Sequence, residues 1–136
     1  MANRWLFKTE PSAYSFQQLQ KDKQTVWDGV KNNLALKNLS GIKKCDWVLI
    51  YHTGNEKAAV GIAQALSGSY ADPAKKDPKL LVIDIEAGKP LPRPVTLAEM
   101  KGNPKLKGFV LLRLPRLSIM PVTDEQWRVI EETVKK

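Results

Sequence analysis

The sequence predicts a small mixed α/β domain, with a curled sheet or barrel of about five or six strands and short peripheral helices. Short apolar runs rich in β-branched and aromatic residues recur along the chain and are separated by turn residues. Two Thr residues each stand three positions before Glu or Gln, which is the capping-box pattern of a helix start. At 136 residues, the chain has the size of one domain, which we assign to residues 1–136.

Four short elements are predicted in the first third of the chain. In order, they are a strand at 5–8, a helix at 16–21, an extended pair at 26–27 and a short helix that opens at Asn32 or Asn33. Pro11 ends the strand because proline has no backbone donor, and Ser15 supplies an N-cap for the helix that follows. Asp28 and Gly29 form a turn after the extended pair.

Three strands in the middle of the chain are expected to be neighbours in the sheet. They cover residues 47–52, 60–66 and 80–86. Along the third of them, the apolar Ile83 and Ile85 alternate with the acidic Asp84 and Glu86, as in a half-buried strand. A polar connection at 70–78 precedes it, and the prolines at positions 90, 92 and 94 argue against regular sheet pairing beyond it.

Two capped helices and two short strands are predicted toward the C-terminus. The capping pairs are Thr96 with Glu99 and Thr123 with Gln126. The apolar run 109–114 is predicted as a strand, and 118–122 as an edge strand because Pro121 cannot donate a ladder hydrogen bond. The apolar face of the final helix consists of Trp127, Ile130 and Val134.

The charge of the chain favours a polyanionic partner. The formal net charge is +8, and both halves of the chain contribute to it. A positive folded body attracts nucleic acid through counterion release and electrostatic steering, although solubility alone also explains such a charge. We expect no membrane partner, because no apolar run approaches the roughly 18 residues of a spanning helix. With no signal-peptide pattern and a single cysteine, Cys45, the expected location is the cytoplasm.

Two segments are the best candidates for a binding site. Residues 5–11 and 27–32 each combine a Trp with a long cation and a turn. Aromatic faces stack on bases, Lys reaches phosphates, and an Asn amide reads a base edge. The alternative is a Trp-rich core surrounded by solvated lysines.

Signals for an enzyme are weak. A single histidine, His52, cannot form a metal site alone, and no Gly-x-Ser-x-Gly elbow or Gly-rich phosphate loop is present in the sequence. Cys45 follows two lysines but is better explained as a structural thiol. Turn or capping roles account for the carboxylates of Glu10 and Asp28. We therefore predict a binding protein that is not an enzyme and that uses neither a cofactor nor a metal.

Several ordered motifs together resemble the EVE-domain family. They lie at 5–11, 27–32, 51–53, 60–63, 90–97, 116–118 and 121–123, and the resemblance extends over most of the chain. It implies a PUA-like pseudobarrel, related to the YTH and ASCH domains. It also implies a pocket for a modified nucleobase, with methylated or hydroxymethylated cytosine and methylated adenine as the leading classes.

The resemblance and the residue chemistry together give a set of candidate site residues. Trp27 is the expected aromatic wall, and Asn32 with the backbone of Gly29 and Val30 is expected at the base edge. The rest of the pocket is expected to consist of Lys8, Thr9, Tyr51, His52 and Thr53. The expected phosphate contacts are Lys31, Lys37 and Arg116.

The chain also departs from the family pattern. Lys31 stands where the family often has Arg, which keeps the charge but loses the bidentate fork. Leu36 and Lys37 interrupt a common Ala-Arg-Asn run, and Thr53 replaces a common Ser. The choice of base, DNA or RNA, and the oligomeric state therefore stay open. The alternative function is a protein-interaction or structural module with a vestigial pocket.

Overall fold

The computed structural model describes residues 3–135, which fold into one sheet with short helices around it. The strands are β1 (Arg4–Thr9), β2 (Gln24–Trp27), β3 (Trp47–His52), β4 (Ala58–Ala65), β5 (Tyr70–Ala71), β6 (Leu81–Thr96) and β7 (Ile119–Val122). The helices are α1 (Phe16–Asp22), α2 (Asn33–Ser40), α3 (Leu97–Lys101), α4 (Val110–Arg113) and α5 (Asp124–Thr133), with a 3₁₀ turn at Pro104–Leu106. The mixed α/β class is confirmed.

The sheet has the strand order β2-β6-β4-β3-β1-β7, and β5 pairs with β6 beside this path. The predicted adjacency of the three middle strands is confirmed, because β4 pairs with both β3 and β6. Seven strands form the sheet, and the one beyond the predicted number is the two-residue β5 within the predicted connection at 70–78. The path is open, with β7 at one end as the edge strand that Pro121 predicted.

The pairing of β1 with β3 matters most for the site, because these two strands are parallel. Arg4 lies beside Trp47 at one end of the pair, and Lys8 lies beside Tyr51 at the other. With about 3.3 Å per residue, the two ends are about 13 Å apart. The β1–β3 pair therefore has two distinct ends, and at each end an aromatic residue of β3 lies next to a cation of β1.

The core lies where the sheet meets α1 and α2. Its largest fully buried side chains include Phe7, Phe16 and Phe109. The ring of Phe16 lies against Gly61 of β4, where an added Cβ would be only 2.3 Å from a ring carbon. Glycine is required there because the backbone of β4 and an aromatic ring of α1 approach too closely for any side chain.

Helix starts follow the predicted caps. The Ser15 hydroxyl accepts a hydrogen bond from the Gln18 amide at the start of α1. Both predicted capping boxes are present, at the starts of α3 and α5. Among the described helices, none has both the length and the apolar character to cross a lipid bilayer.

Two predictions for local structure are corrected. The run 109–114 is not a strand, because Val110–Arg113 forms α4 with Phe109 as its N-cap residue. A short apolar run suits either state, and here burial of Phe109 and Leu111 favours the helical turn. The segment with three prolines does pair with β4, as part of β6, although its register shifts around Gly61. Such irregularities tolerate residues that lack an N–H donor.

Candidate functional site

An open cavity of about 550 Å³ lies where β1 ends and β2 leads into the following turn. It is lined by Lys8, Thr9, Glu10, Ala13, Tyr14, Thr25, Val26, Trp27 and Asp28. Lys8, Thr9 and Trp27 were predicted as site residues, and the fold brings all three together here. We call this space the Trp27 cavity.

Trp27 forms an aromatic wall that is only partly buried. Its ring centroid is 5.3 Å from that of Phe7, at an interplanar angle of 54°. The Tyr14 ring meets it nearly at right angles, at 6.1 Å. Edge-to-face and tilted geometries of this kind hold an aromatic ring in place. Trp27 therefore contacts the core with one part of its surface and lines the cavity with another.

Lys8 is held at the cavity by two groups. Its Nζ donates a hydrogen bond of 2.6 Å to the carbonyl oxygen of Pro115 and lies 5.8 Å from the centre of the Tyr51 ring. Partial burial lowers the pKa of Lys8, since it disfavours the charged ammonium. Tyr51 itself is buried, so it supports the lysine from beneath and its ring does not form a cavity wall.

The charge around the cavity is mixed. Beside Lys8 stand the carboxylates of Glu10 and Asp28. Glu10 accepts hydrogen bonds from the backbone and hydroxyl of Ser12, at 3.2 and 3.1 Å. Asp28 is exposed and belongs to none of the ion pairs found among residues 3–135. The cavity thus contains two carboxylates that belong to no ion pair of the described residues, and a lysine with N–H donors beyond the one bonded to Pro115.

The turn after Trp27 lines a neighbouring, smaller cavity of about 230 Å³. Gly29, Val30 and Lys31 belong to it, and Asp28 is shared with the Trp27 cavity. Gly29 has φ of +77°, a left-handed conformation that glycine adopts without strain. These three predicted residues lie beside the Trp27 cavity and do not line it.

Asn32 and His52 have structural partners. The Asn32 side-chain oxygen accepts the Ala35 amide at 3.0 Å and caps α2. His52 is 1% exposed, and its Nε2 accepts the Phe16 amide at 3.0 Å. Its Nδ1 lies 3.1 Å from Glu56, an arrangement that assigns the ring proton to Nδ1. The His52 ring therefore has no free polar atom for a ligand.

The other predicted residues lie around the same region. The backbone amide of Thr53 donates to the carbonyl of Thr9 at 2.9 Å and so fixes one lining residue. Lys37 is exposed on α2, and Arg116 is exposed directly after Pro115, the partner of Lys8. Sequence reasoning missed Tyr14, Thr25 and Val26, because nothing in their local pattern separates them from ordinary loop and strand residues.

A second cavity, of about 470 Å³, lies at the opposite end of the β1–β3 pair. Its walls include Arg4, Trp47, Ile62, Ala87 and Trp127. Glu86, Lys89 and Glu131 also line it, so its charge is mixed as well. We call it the Trp47 cavity. Within the described residues, no group of three or more His, Cys, Asp or Glu side chains could hold a metal ion.

Comparison with known proteins places the chain among close structural relatives. A family model described as EVE domain matches residues 3–133. Thymocyte nuclear protein 1 of Mus musculus is 30% identical over 171 aligned positions, which cover 98% of this chain and 75% of the mouse protein.

Solved structures give the same picture. The NMR structure of Rpa0253 from Rhodopseudomonas palustris has a TM-score of 0.93 and 35% identity, covering 98% of this chain and 94% of that one. The crystal structure of human THYN1 protein in complex with DNA containing 5-methylcytosine has a TM-score of 0.90 and 27% identity, with 99% of both chains covered.

Proposed function

The chain belongs to the EVE-domain family, and we propose that it binds nucleic acid by accepting one extruded, modified base in the Trp27 cavity. The human relative that was crystallised with DNA containing 5-methylcytosine is similar over the whole chain, which supports DNA as the first nucleic acid to test. In this proposal the domain recognises a base without transforming it.

The observation that carries the proposal is the partly exposed Trp27 ring on an open cavity of about 550 Å³. An extruded base needs a flat wall for its face and polar groups for its edge. Pockets for small ligands commonly have volumes of about 300–1,000 Å³. Trp27 supplies the wall, and Tyr14 and Phe7 hold its ring in a fixed orientation.

The polar groups around the cavity favour a base with an exocyclic amino group. A carboxylate accepts from the amino group of cytosine or adenine, whereas thymine and uracil present a carbonyl oxygen at the same position. Asp28 supplies the acceptor, and Lys8 supplies donors for a ring nitrogen or a carbonyl oxygen. The family resemblance implies methylated or hydroxymethylated cytosine and methylated adenine, all of which carry such an amino group, and we propose these bases as ligands.

The test is a titration of labelled duplexes that differ in one base: cytosine, 5-methylcytosine, 5-hydroxymethylcytosine, adenine or N6-methyladenine. We expect one modified base to bind more tightly than its unmodified parent. In Asp28→Asn, whose side chain has the same shape without the charge, affinity for the preferred duplex should fall, because an amide is a weaker acceptor for the base amino group. Equal affinity for all five duplexes would contradict recognition of a modified base.

The second candidate function is protein interaction, and the Trp47 cavity is the feature that favours it. The partly exposed side chains of Trp47, Ile62 and Ala87 give it apolar walls. Such walls suit an apolar side chain of a partner. Trp47→Ala separates the two functions, since it changes the Trp47 cavity and leaves the Trp27 cavity intact.

A further inference from the structure

One stretch of the chain carries cations without any acidic residue. Residues 101–123 contain five cationic side chains and no Asp or Glu, while the whole chain has a net charge of +8. The five are Lys101, Lys105, Lys107, Arg113 and Arg116. We call residues 101–116 the basic segment. Of these five residues, only Arg116 belongs to one of the motifs shared with the family.

Three of the five cations of the basic segment lie on one concave surface. A depression of about 480 Å³ is lined by Lys101, Lys107 and Arg113 together with neighbouring neutral residues. Asn103 caps the 3₁₀ turn by accepting the Lys105 amide at 3.0 Å, and Pro104 stiffens the same turn. All five cations are exposed, and none belongs to an ion pair between residues of the described part of the chain. Their charges are therefore available to a partner.

The basic segment also reaches the Trp27 cavity. Its Pro115 accepts the hydrogen bond from Lys8 Nζ, and the Lys8 amide donates to Ser118 at 2.9 Å. Lys8 therefore joins the two features, since it lines the cavity and is bonded to this segment.

We propose that the basic segment binds the sugar–phosphate backbone of the nucleic-acid strand whose base enters the Trp27 cavity. This inference rests on the proposed function. Exposed cations that form no ion pair within the described residues suit a uniformly anionic partner, and contacts to phosphates fix the register of a protein on its strand. An acidic protein would also match the charge, but continuity with a cavity of base size favours nucleic acid.

The experiment uses the triple variant Lys101→Gln/Lys107→Gln/Arg113→Gln, which removes three positive charges from the depression. Its matched control is Lys43→Gln/Lys44→Gln/Lys89→Gln, which removes three exposed charges near the Trp47 end of the β1–β3 pair. Binding of a duplex with one 5-methylcytosine is measured at several salt concentrations. The slope of log K against log salt is negative, and each lost phosphate contact reduces its magnitude by about 0.9, so the magnitude should fall by about 2.7 in the first triple variant. The control should keep most of the wild-type slope.

The outcomes separate this inference from the proposed function. The first triple variant should lose affinity for modified and unmodified duplexes by the same factor, because phosphate contacts do not distinguish bases. Trp27→Ala should show the opposite pattern, with reduced preference for the modified base and an unchanged salt slope. Equal slopes for the two triple variants, or full affinity in the first, would overturn the role of the basic segment alone. Absence of duplex binding by the wild-type protein would overturn both proposals.

Discussion

Replacement of Trp27 by Ala tests the proposed base contact most directly. If the indole stacks on an extruded base, its removal should cost about 1–3 kcal/mol of binding free energy, the usual range for one base–aromatic stack. This corresponds to an increase in Kd of about 5- to 150-fold, at 1.4 kcal/mol per factor of ten. The loss should be greater for the preferred modified duplex than for its unmodified parent.

The same change also lowers stability, and the structure sets the size of that effect. Trp→Ala in a full core costs about 3–5 kcal/mol, but Trp27 is only partly buried and mainly contacts the rings of Phe7 and Tyr14. We therefore expect a loss of about 2 kcal/mol in unfolding free energy. A domain with a typical stability of about 5–15 kcal/mol stays folded after such a loss.

Trp47→Ala is the matched control, because Trp47 is also a partly buried Trp in the sheet but lines the other cavity. Circular dichroism gives the melting temperature of both variants, and fluorescence polarisation gives their affinities for the labelled duplexes. Both variants should have a lower melting temperature than the wild type, and only Trp27→Ala should bind the duplexes more weakly. A folded Trp27→Ala protein with wild-type affinity, or an equal loss in both variants, would refute the stacking contact.

Three further predictions concern stability. Gly61→Ala should cost about 1–3 kcal/mol in urea unfolding, because its methyl group would overlap the Phe16 ring, and Phe16→Leu in the same chain should recover part of the loss. His52→Leu should lower the free energy of unfolding by about 1–3 kcal/mol, because it leaves the buried Phe16 amide unpaired, and duplex affinity should be retained. A loss of affinity without a loss of stability would instead place His52 in the site. Hydrogen bonding to Arg93 lowers the pKa of Glu99 to about 2 from its usual 4.5, so this carboxylate stabilises the fold above pH 4.5 and loses that contribution as pH falls toward 2. The difference in melting temperature between wild type and Glu99→Gln should therefore shrink between pH 6 and pH 2.5, and a constant difference would contradict the ion pair.

Local rules were sufficient to predict most elements of the fold. The N-cap of α1 and both capping boxes depend on residues three positions apart, so the sequence contains all the information for them. The strand prediction for 109–114 was wrong because the secondary structure of this run depends on what buries Phe109, and that tertiary contact is not part of any local pattern. Likewise, pairing of the proline-rich part of β6 depends on the irregular register that β4 offers it.

The site was less predictable than the fold, for a physical reason. Motifs indicate which residue types stand together, but exposure decides which of them meet a ligand. His52 belongs to a motif of the family, yet its hydrogen bonds to α1 and to Glu56 give it a structural role. Tyr14 lies in a loop without any motif, yet it lines the cavity and orients Trp27. Whether Lys8 and Trp27 contact a ligand stays a prediction.

The electrostatic difference between the two ends of the β1–β3 pair bears on how both candidate functions could coexist. At the Trp27 end, Lys8 adjoins a basic segment with no carboxylates of its own. At the Trp47 end, Arg4 is paired with Asp124, and Lys89 shares its cavity with two glutamates. Each cavity also contains two carboxylates, so the basic segment beside the first end is the feature that favours a polyanion there. Because the Trp47 cavity lies at the opposite end of the pair, we expect it to accept a second partner while nucleic acid is bound at the first. If Trp47→Ala abolishes binding of that partner and leaves duplex affinity unchanged, the domain has two independent binding surfaces.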